Sequence, residues 1–134
     1  MNTERDVLRS LYAKQWRSTG VDVILSPANA SVASAHNESR YWGYTSAFNA
    51  LDLPGSVFPV GTVKSADTWI SNTAPILSEM DREYRGYYDN GGAEKYRNAP
   101  ICLQLIGRRL QEEKLLAMTE RLQSLLVEAR TRIK

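Results

Sequence analysis

Apolar positions along the chain change period several times, and each change marks an element. Val7, Leu8, Leu11, Tyr12 and Trp16 recur at spacings of three and four, which predicts an amphipathic helix over residues 3–18 with Thr3 as its N-cap. Gly20 ends it, since glycine adopts the left-handed conformation that closes helices at little cost. "VDVILSP" at residues 21–27 is rich in β-branched residues, stops at Pro27 and reads as a buried strand. The small, polar stretch "ANASVASAHNESR" at residues 28–40 has no period and predicts a long loop.

The aromatic run "YWGYTSAFNA" at residues 41–50 predicts a short helix, and Pro54 and Gly55 then introduce a strand over Ser56–Val60. Residues 64–98 mix polar and aromatic side chains and predict a surface insertion, with a short helix around Pro75–Tyr84 and a turn at "DNGG", Asp89–Gly92. "ICLQLIG" supplies a third strand. Leu115, Leu116, Met118, Leu122, Leu125, Leu126, Ala129 and Ile133 then mark the stripe of a long closing helix. Strands alternating with helices at these separations give an α/β fold class, with about three sheet strands flanked by helices.

Composition narrows the function classes without choosing one. With 134 residues, 43% hydrophobic and 24% charged, the chain suits one globular domain or a piece of a larger one. The net charge of +2 is dispersed along the sequence, so no basic footprint for nucleic acid is expected. No apolar run approaches the ~20 residues of a membrane span, and the start "MNTERDVLRS" lacks the apolar core of a secretory signal, so a cytoplasmic protein is expected. The single cysteine, Cys102, sits in an apolar strand and reads as a small core residue in a reducing compartment.

Candidate chemistry is sparse. The one histidine, His36, lies in the polar loop, where a solvated side chain is expected in preference to a catalytic base. No second histidine or cysteine stands at metal-ligand spacing, so no metal is expected. Glu112 and Glu113 fall in the first turn of the last helix, where carboxylates complement the helix dipole. Tyr41, Trp42, Tyr44 and Phe48 suit a pocket wall and core packing equally. Gly107, followed by Arg108 and Arg109, suggests either an anion-binding turn or a strand-to-helix corner. The glutamates downstream and the lack of further glycines favour the corner, with both arginines solvated or paired with acids.

Three blocks carry a resemblance. "DVILSPA" at Asp22–Ala28, "YTSAFNALDLPGSVFPVG" at Tyr44–Gly61 and "APICLQLIGRRLQEEKLLAM" at Ala99–Met118 resemble the C-terminal third of amidase signature enzymes. The fungal amidases look nearest, with the fatty-acid amide hydrolases more distant. The resemblance implies a share in an α/β/α fold around a mixed sheet, as a single partial amidase-like domain over residues 1–134. It also implies hydrolysis of carboxylic amides, without metal or organic cofactor, by a lysine and two serines aided by backbone N–H groups of a Gly/Ser-rich loop. None of those catalysts maps onto these blocks: Lys14, Lys64, Ser26 and Ser46 match other positions, and no Gly-Gly-Ser-Ser-Gly-Gly-like stretch occurs.

In relatives with elongated substrates, the segments matching "SRYWGYTS" and "YRGYY" border the acyl pocket, which makes Trp42, Ser46 and Tyr88 the candidate substrate-binding residues. The chain alone is expected to be inactive and to complete an N-terminal amidase part. The alternatives are a repurposed small-molecule binding protein, or enzyme of another class, and a dimeric scaffold in which a homodimer hides the sheet.

Overall fold

The computed structural model describes residues 2–70 and 73–132. Its elements are α1 (Asn2–Thr19), β1 (Ile24–Pro27), α2 (Gly43–Leu51), β2 (Gly55–Thr62), α3 (Glu79–Asp89), the short α4 (Gly92–Lys95), β3 (Pro100–Ile106) and α5 (Glu112–Arg132). The strands form one sheet in the order β1-β3-β2, with β3 antiparallel to both neighbours. The chain is thus α/β, three strands flanked by helices, as its periodicities predict.

Register decides what each face buries. Leu25 lies opposite Leu105, and Phe58 opposite Leu103, so these side chains share one face of the pleated sheet. Helix α5 covers the β2 and β3 part of that face. Leu115 joins Phe58 and Leu105 in the core, with Val23, Val60, Leu103, Leu122 and Leu126 packed around them. Phe58 is the centre, with 1% of its surface exposed. A register shift between Pro59 and Gly61 interrupts the β2–β3 ladder beside a residue that has no N–H to donate.

The opposite face is tied by polar bonds. Gln104, 3% exposed, donates through Nε2 to Ser26 Oγ at 3.0 Å, to the Pro27 carbonyl at 2.8 Å and to the Tyr44 carbonyl at 2.8 Å. One buried amide thereby joins β1, β3 and α2. Helix α1 packs on α2, and the Trp16 indole N–H donates to the Val21 carbonyl at 2.7 Å, which fixes the turn into β1.

Gly107 is a packing glycine at a corner. Its N–H donates to the Pro54 carbonyl at 2.9 Å, and a Cβ built on it lies 3.2 Å from Leu115 Cβ. Arg109 pairs with Asp52 at 2.6 Å, as expected of a surface arginine. Arg108 departs from that expectation: it donates to the Val21 carbonyl at 2.8 Å and lies 5.9 Å from the Trp16 ring centroid.

Several sequence expectations need correction. Thr3 is not an N-cap but lies inside α1. Segment 21–27 is not a buried strand: β1 is four residues at the sheet margin, and Leu25 is 53% exposed because among the described residues no element covers that side. The insertion's helix starts at Glu79 rather than Pro75, since Ser78 Oγ accepts from the Asp81 N–H at 3.1 Å and caps it there. It runs to Asp89, where Asn90 closes it and Gly91 and Gly92, with φ of 125° and 57°, turn the chain into α4. Leu116, Leu125 and Ala129 are exposed rather than part of a covered stripe, while Ile133 lies outside the described residues. Cys102 is half-buried, and His36 is exposed on its loop.

Candidate functional site

The aromatic patch anticipated at residues 41–48 is built by an unusual approach of ring to backbone. Tyr41 folds back over Gly43 so closely that a Cβ there would meet the phenol ring and displace it. Tyr41 and Tyr44 meet edge to face, with ring centroids 5.7 Å apart. Trp42 stands at the N-cap of α2, and its carbonyl accepts from the Ser46 N–H at 2.8 Å. Trp42 and Ser46 therefore lie one helical turn apart, both exposed, Trp42 with 67% of its surface free.

Helix α3 supplies the facing wall. Its buried Tyr84 accepts two backbone N–H bonds, from Arg40 at 3.2 Å and from Tyr41 at 3.1 Å, pinning the loop to the helix. Arg85 grips Asp81 with two bonds of 2.9 Å, and its guanidinium also donates to the carbonyls of Ala74 at 2.6 Å and Pro75 at 3.1 Å. The Asp81 carboxyl is held below the usual range first by the Arg85 hydrogen bonds and then by the Leu77 N–H. Between the walls lies an open groove of about 690 Å³, lined by Ala30, Tyr41, Tyr44, Ala74, Pro75, Leu77, Ser78, Met80, Asp81, Tyr84 and Arg85.

Tyr88 sits elsewhere, in a stack. Its ring lies 4.8 Å from Trp69 and 4.9 Å from Tyr96, and its hydroxyl accepts from the Val32 N–H at 3.1 Å. Tyr96 donates to Glu38 at 2.6 Å, and Lys95 pairs with the same carboxylate while lying 5.3 Å from the Tyr96 ring centroid. Glu38 is held below the ordinary carboxylate range by its bonds from Lys95 and then Tyr96. Burial, followed by the Glu38 bond, pushes the Tyr96 phenol well above its ordinary value. This network fastens the 28–40 loop to the insertion.

Of the aromatics singled out in the sequence, Tyr41 and Tyr44 line the groove, whereas the candidate residues Trp42, Ser46 and Tyr88 lie outside its lining, and Met80, Asp81, Tyr84 and Arg85 opposite were missed. Their signal was present as the cap Ser78 with Asp81 three residues on, and the one-turn spacing of Met80 and Tyr84. No group of three or more His, Cys, Asp or Glu that could hold a metal occurs among the described residues. No helix among them is long and apolar enough to cross a membrane.

Comparison with known proteins places this geometry. The amidase family model matches residues 1–116. The chain belongs to the amidase family. It is 39% identical to a putative amidase of Schizosaccharomyces pombe over 94% of this chain and 23% of that protein. It is also 39% identical to an acetamidase of Aspergillus oryzae, over 86% of this chain and 22% of that protein. Among solved structures, a fatty acid amide hydrolase superposes with a TM-score of 0.79 at 32% identity, covering 93% of this chain and 22% of that one. The chain thus spans under a quarter of the length of these relatives. Within the amidase frame, the three sequence blocks become the three strands of one sheet: the first is β1, the second leads through α2 into β2, and the third is β3 with the start of α5.

Proposed function

We propose that this chain serves as the C-terminal part of an amide hydrolase, a single partial domain that contributes an outer wall of the substrate pocket to a catalytic core carried by an N-terminal part. The observation that carries this reading is the match to a fatty acid amide hydrolase over 93% of this chain but only 22% of that one. A segment that keeps the fold of one quarter of an enzyme, and lacks the Gly/Ser-rich serine stretch, suits a role in shaping the site. The lysine and serines of the resemblance would come from the N-terminal part.

In this reading Trp42 and Ser46 on α2 border the substrate, and Tyr88 holds the loop behind them through its bond with Val32. The groove between Tyr44 and Met80 accommodates an apolar acyl or aryl group, since its walls are mainly aromatic and aliphatic. Leu25 and the neighbouring hollow of about 420 Å³, lined by Val23, Leu105, Met118, Leu122 and Leu125 among others, give an N-terminal part an apolar seat beside the free edge of β1.

The test is reconstitution. The chain is mixed or co-expressed with the N-terminal part of a fungal amidase, and the complex is assayed with short and long carboxylic amides. A stable complex that hydrolyses amides, when neither part does so alone, is expected. A chain that forms a symmetric dimer and restores no hydrolysis would overturn the reading.

A further inference from the structure

The aromatic groove does not use the densest group of cations in the molecule. A second cavity, of about 250 Å³, opens between α1 and the corner joining β3 to α5, and Arg9, Arg17, Arg108 and Arg109 all line it together with Tyr12 and Trp16. Four guanidinium groups around so small a space repel one another unless anions balance them. Two carboxylates do part of this. Asp52 lies 2.6 Å from Arg109 and 3.8 Å from Arg9, and Asp6 lies 3.4 Å from Arg9. Arg17 has no ion pair among the described residues, and Arg108 bonds to the neutral Val21 carbonyl, faces Trp16 and shares the field of Asp22 with Lys114, which hydrogen-bonds that carboxylate. Glu112 and Glu113, the acids nearest in sequence, are exposed and pair with none of the four.

Arg108 carries a second sign of incompleteness. Its Nε is shut off from solvent and has no hydrogen-bond partner among the described residues. A guanidinium N–H removed from water without an acceptor is costly, and costlier than for a neutral donor. The side chain is held in place by the Val21 carbonyl at one nitrogen and the Trp16 ring at its face, and the residue lines the cavity; with Nε itself closed to solvent, a ligand there would meet the terminal nitrogens of the guanidinium.

We propose that this cavity binds a compact dianionic oxyanion, a phosphate or a phosphate monoester, through Arg17, Arg108 and Arg109. Arg9, Arg17, Arg108, Arg109 and the neighbouring Lys114 outnumber the carboxylates of Asp6, Asp22 and Asp52, and that excess matches a group that carries about −1.5 to −2 charge near neutrality. Guanidinium groups suit its oxygens in geometry as well as charge. The volume lies below the roughly 300–1,000 Å³ of pockets for drug-sized ligands, so the ligand is small, with Tyr12 and Trp16 as apolar floor for the ester group of a monoester. This site is separate from the groove between α2 and α3 and does not depend on the amide-hydrolase reading.

Titration calorimetry of the 134-residue chain tests it, with inorganic phosphate, phenyl phosphate and benzoate as probes at matched ionic strength. Saturable binding of phosphate or phenyl phosphate is expected, with benzoate weaker because it carries one charge. Binding by phenyl phosphate alone would assign the site to esters, and equal binding of both phosphates to the free ion. Arg108→Gln and Arg17→Gln are each expected to weaken binding about tenfold or more, the worth of one charge-assisted hydrogen bond. Arg17 is exposed and unpaired among the described residues, so its variant keeps the fold even if the Arg108 variant does not. Absence of saturable phosphate binding, benzoate binding as tightly as phenyl phosphate, or binding that Arg17→Gln leaves unchanged would overturn the proposal.

Discussion

The Nε2 of Gln104 in β3 lies 2.8 Å from the backbone carbonyl of Tyr44 in α2, so a buried strand residue fixes the helix that carries the aromatic wall. The amide has two hydrogens and three acceptors, Ser26 Oγ and the Pro27 and Tyr44 carbonyls, and at least one bond is shared. All three acceptors meet at one atom of the central strand. The position of the wall is therefore set from the middle of the sheet outward.

Gln104→Leu keeps the side-chain size but leaves the part-buried Pro27 and Tyr44 carbonyls without their donor beside a residue that is itself 3% exposed. Each buried acceptor so abandoned costs about 1–3 kcal/mol, so a loss of that order or somewhat more is expected in urea unfolding. Fluorescence of Trp42 should change as well, because α2 loses its tether. An unchanged urea midpoint would remove the anchor role.

Gly107→Ala tests the corner. The added Cβ meets Leu115 Cβ at 3.2 Å, and Leu115 is held in the core between β3 and α5. Neither partner is a flexible tip, so the two elements must part by a few tenths of an ångström. A destabilisation of about 1–3 kcal/mol is expected by thermal or urea unfolding, the usual cost of overpacking a fitted core.

Tyr84→Phe removes an oxygen and nothing else. The Arg40 and Tyr41 N–H groups both donate to that hydroxyl, so the loop leading into α2 loses its two bonds to α3. Stability should fall by about 1–3 kcal/mol. Amide hydrogen exchange at residues 40 and 41 should accelerate more than exchange in β3. Uniform acceleration across the chain would instead indicate a global loss without a local hinge.

The three strands and two long helices were legible in the sequence because local pattern and tertiary burial agree there. "ICLQLIG" is apolar on both faces of its strand, and β3 is the central strand, with a neighbour on each side. "VDVILSP" has the same composition but occupies an edge, and composition does not report which strand has neighbours. That is why Leu25 reads as buried and is not. On the α2 side, Tyr41 and Tyr44 were legible as aromatics, but pattern did not tell that Trp42 and Ser46 fall outside the groove lining. The α3 wall was hidden because Tyr84 and Arg85 work through bonds to Arg40, Tyr41, Ala74 and Pro75, residues up to 44 positions away in sequence. The arginine cavity was hidden for the same reason: Arg9 and Arg17 reach Arg108 and Arg109 only when α1 folds against the corner.

Ser46→Trp probes the substrate wall proposed for this chain, in the complex proposed with an N-terminal part. Ser46 is exposed on α2, so stability should change by no more than about 0.5 kcal/mol. The KM for long-chain amides should rise roughly tenfold, the scale of a misfitted methylene or two, while a short amide is hydrolysed as before. Trp42→Ala should widen the same wall and favour bulkier amides. Equal changes for short and long substrates would place these residues away from the acyl group.

The pH dependence of stability follows from the carboxylates tied to cations. Glu38 is held below its ordinary 4.5 by Lys95 and Tyr96, Asp22 below 3.8 by Lys114, and Asp81 below 3.8 by Arg85. A depressed value in the folded state means that the stabilisation is complete above the ordinary value and is lost as pH falls through the folded one. Tyr96 and Tyr87 are shifted the other way, each above an ordinary 10, so their contribution is complete below pH 10 and fades as pH rises through the raised values. Urea midpoints should therefore form a plateau between about pH 5 and 10, with a fall on the acid side. Glu38→Gln should lower the plateau and flatten the acid fall, because its own titration is gone. The gap between the variant and the unmodified chain should begin to close as pH falls below 4.5, where Glu38 binds its proton in the unfolded chain, and should vanish once the pH is below the depressed folded value as well. A gap that stays constant down to strongly acid pH would show that Glu38 acts through packing rather than through its charge, and that the Lys95 and Tyr96 bonds do not hold the loop electrostatically.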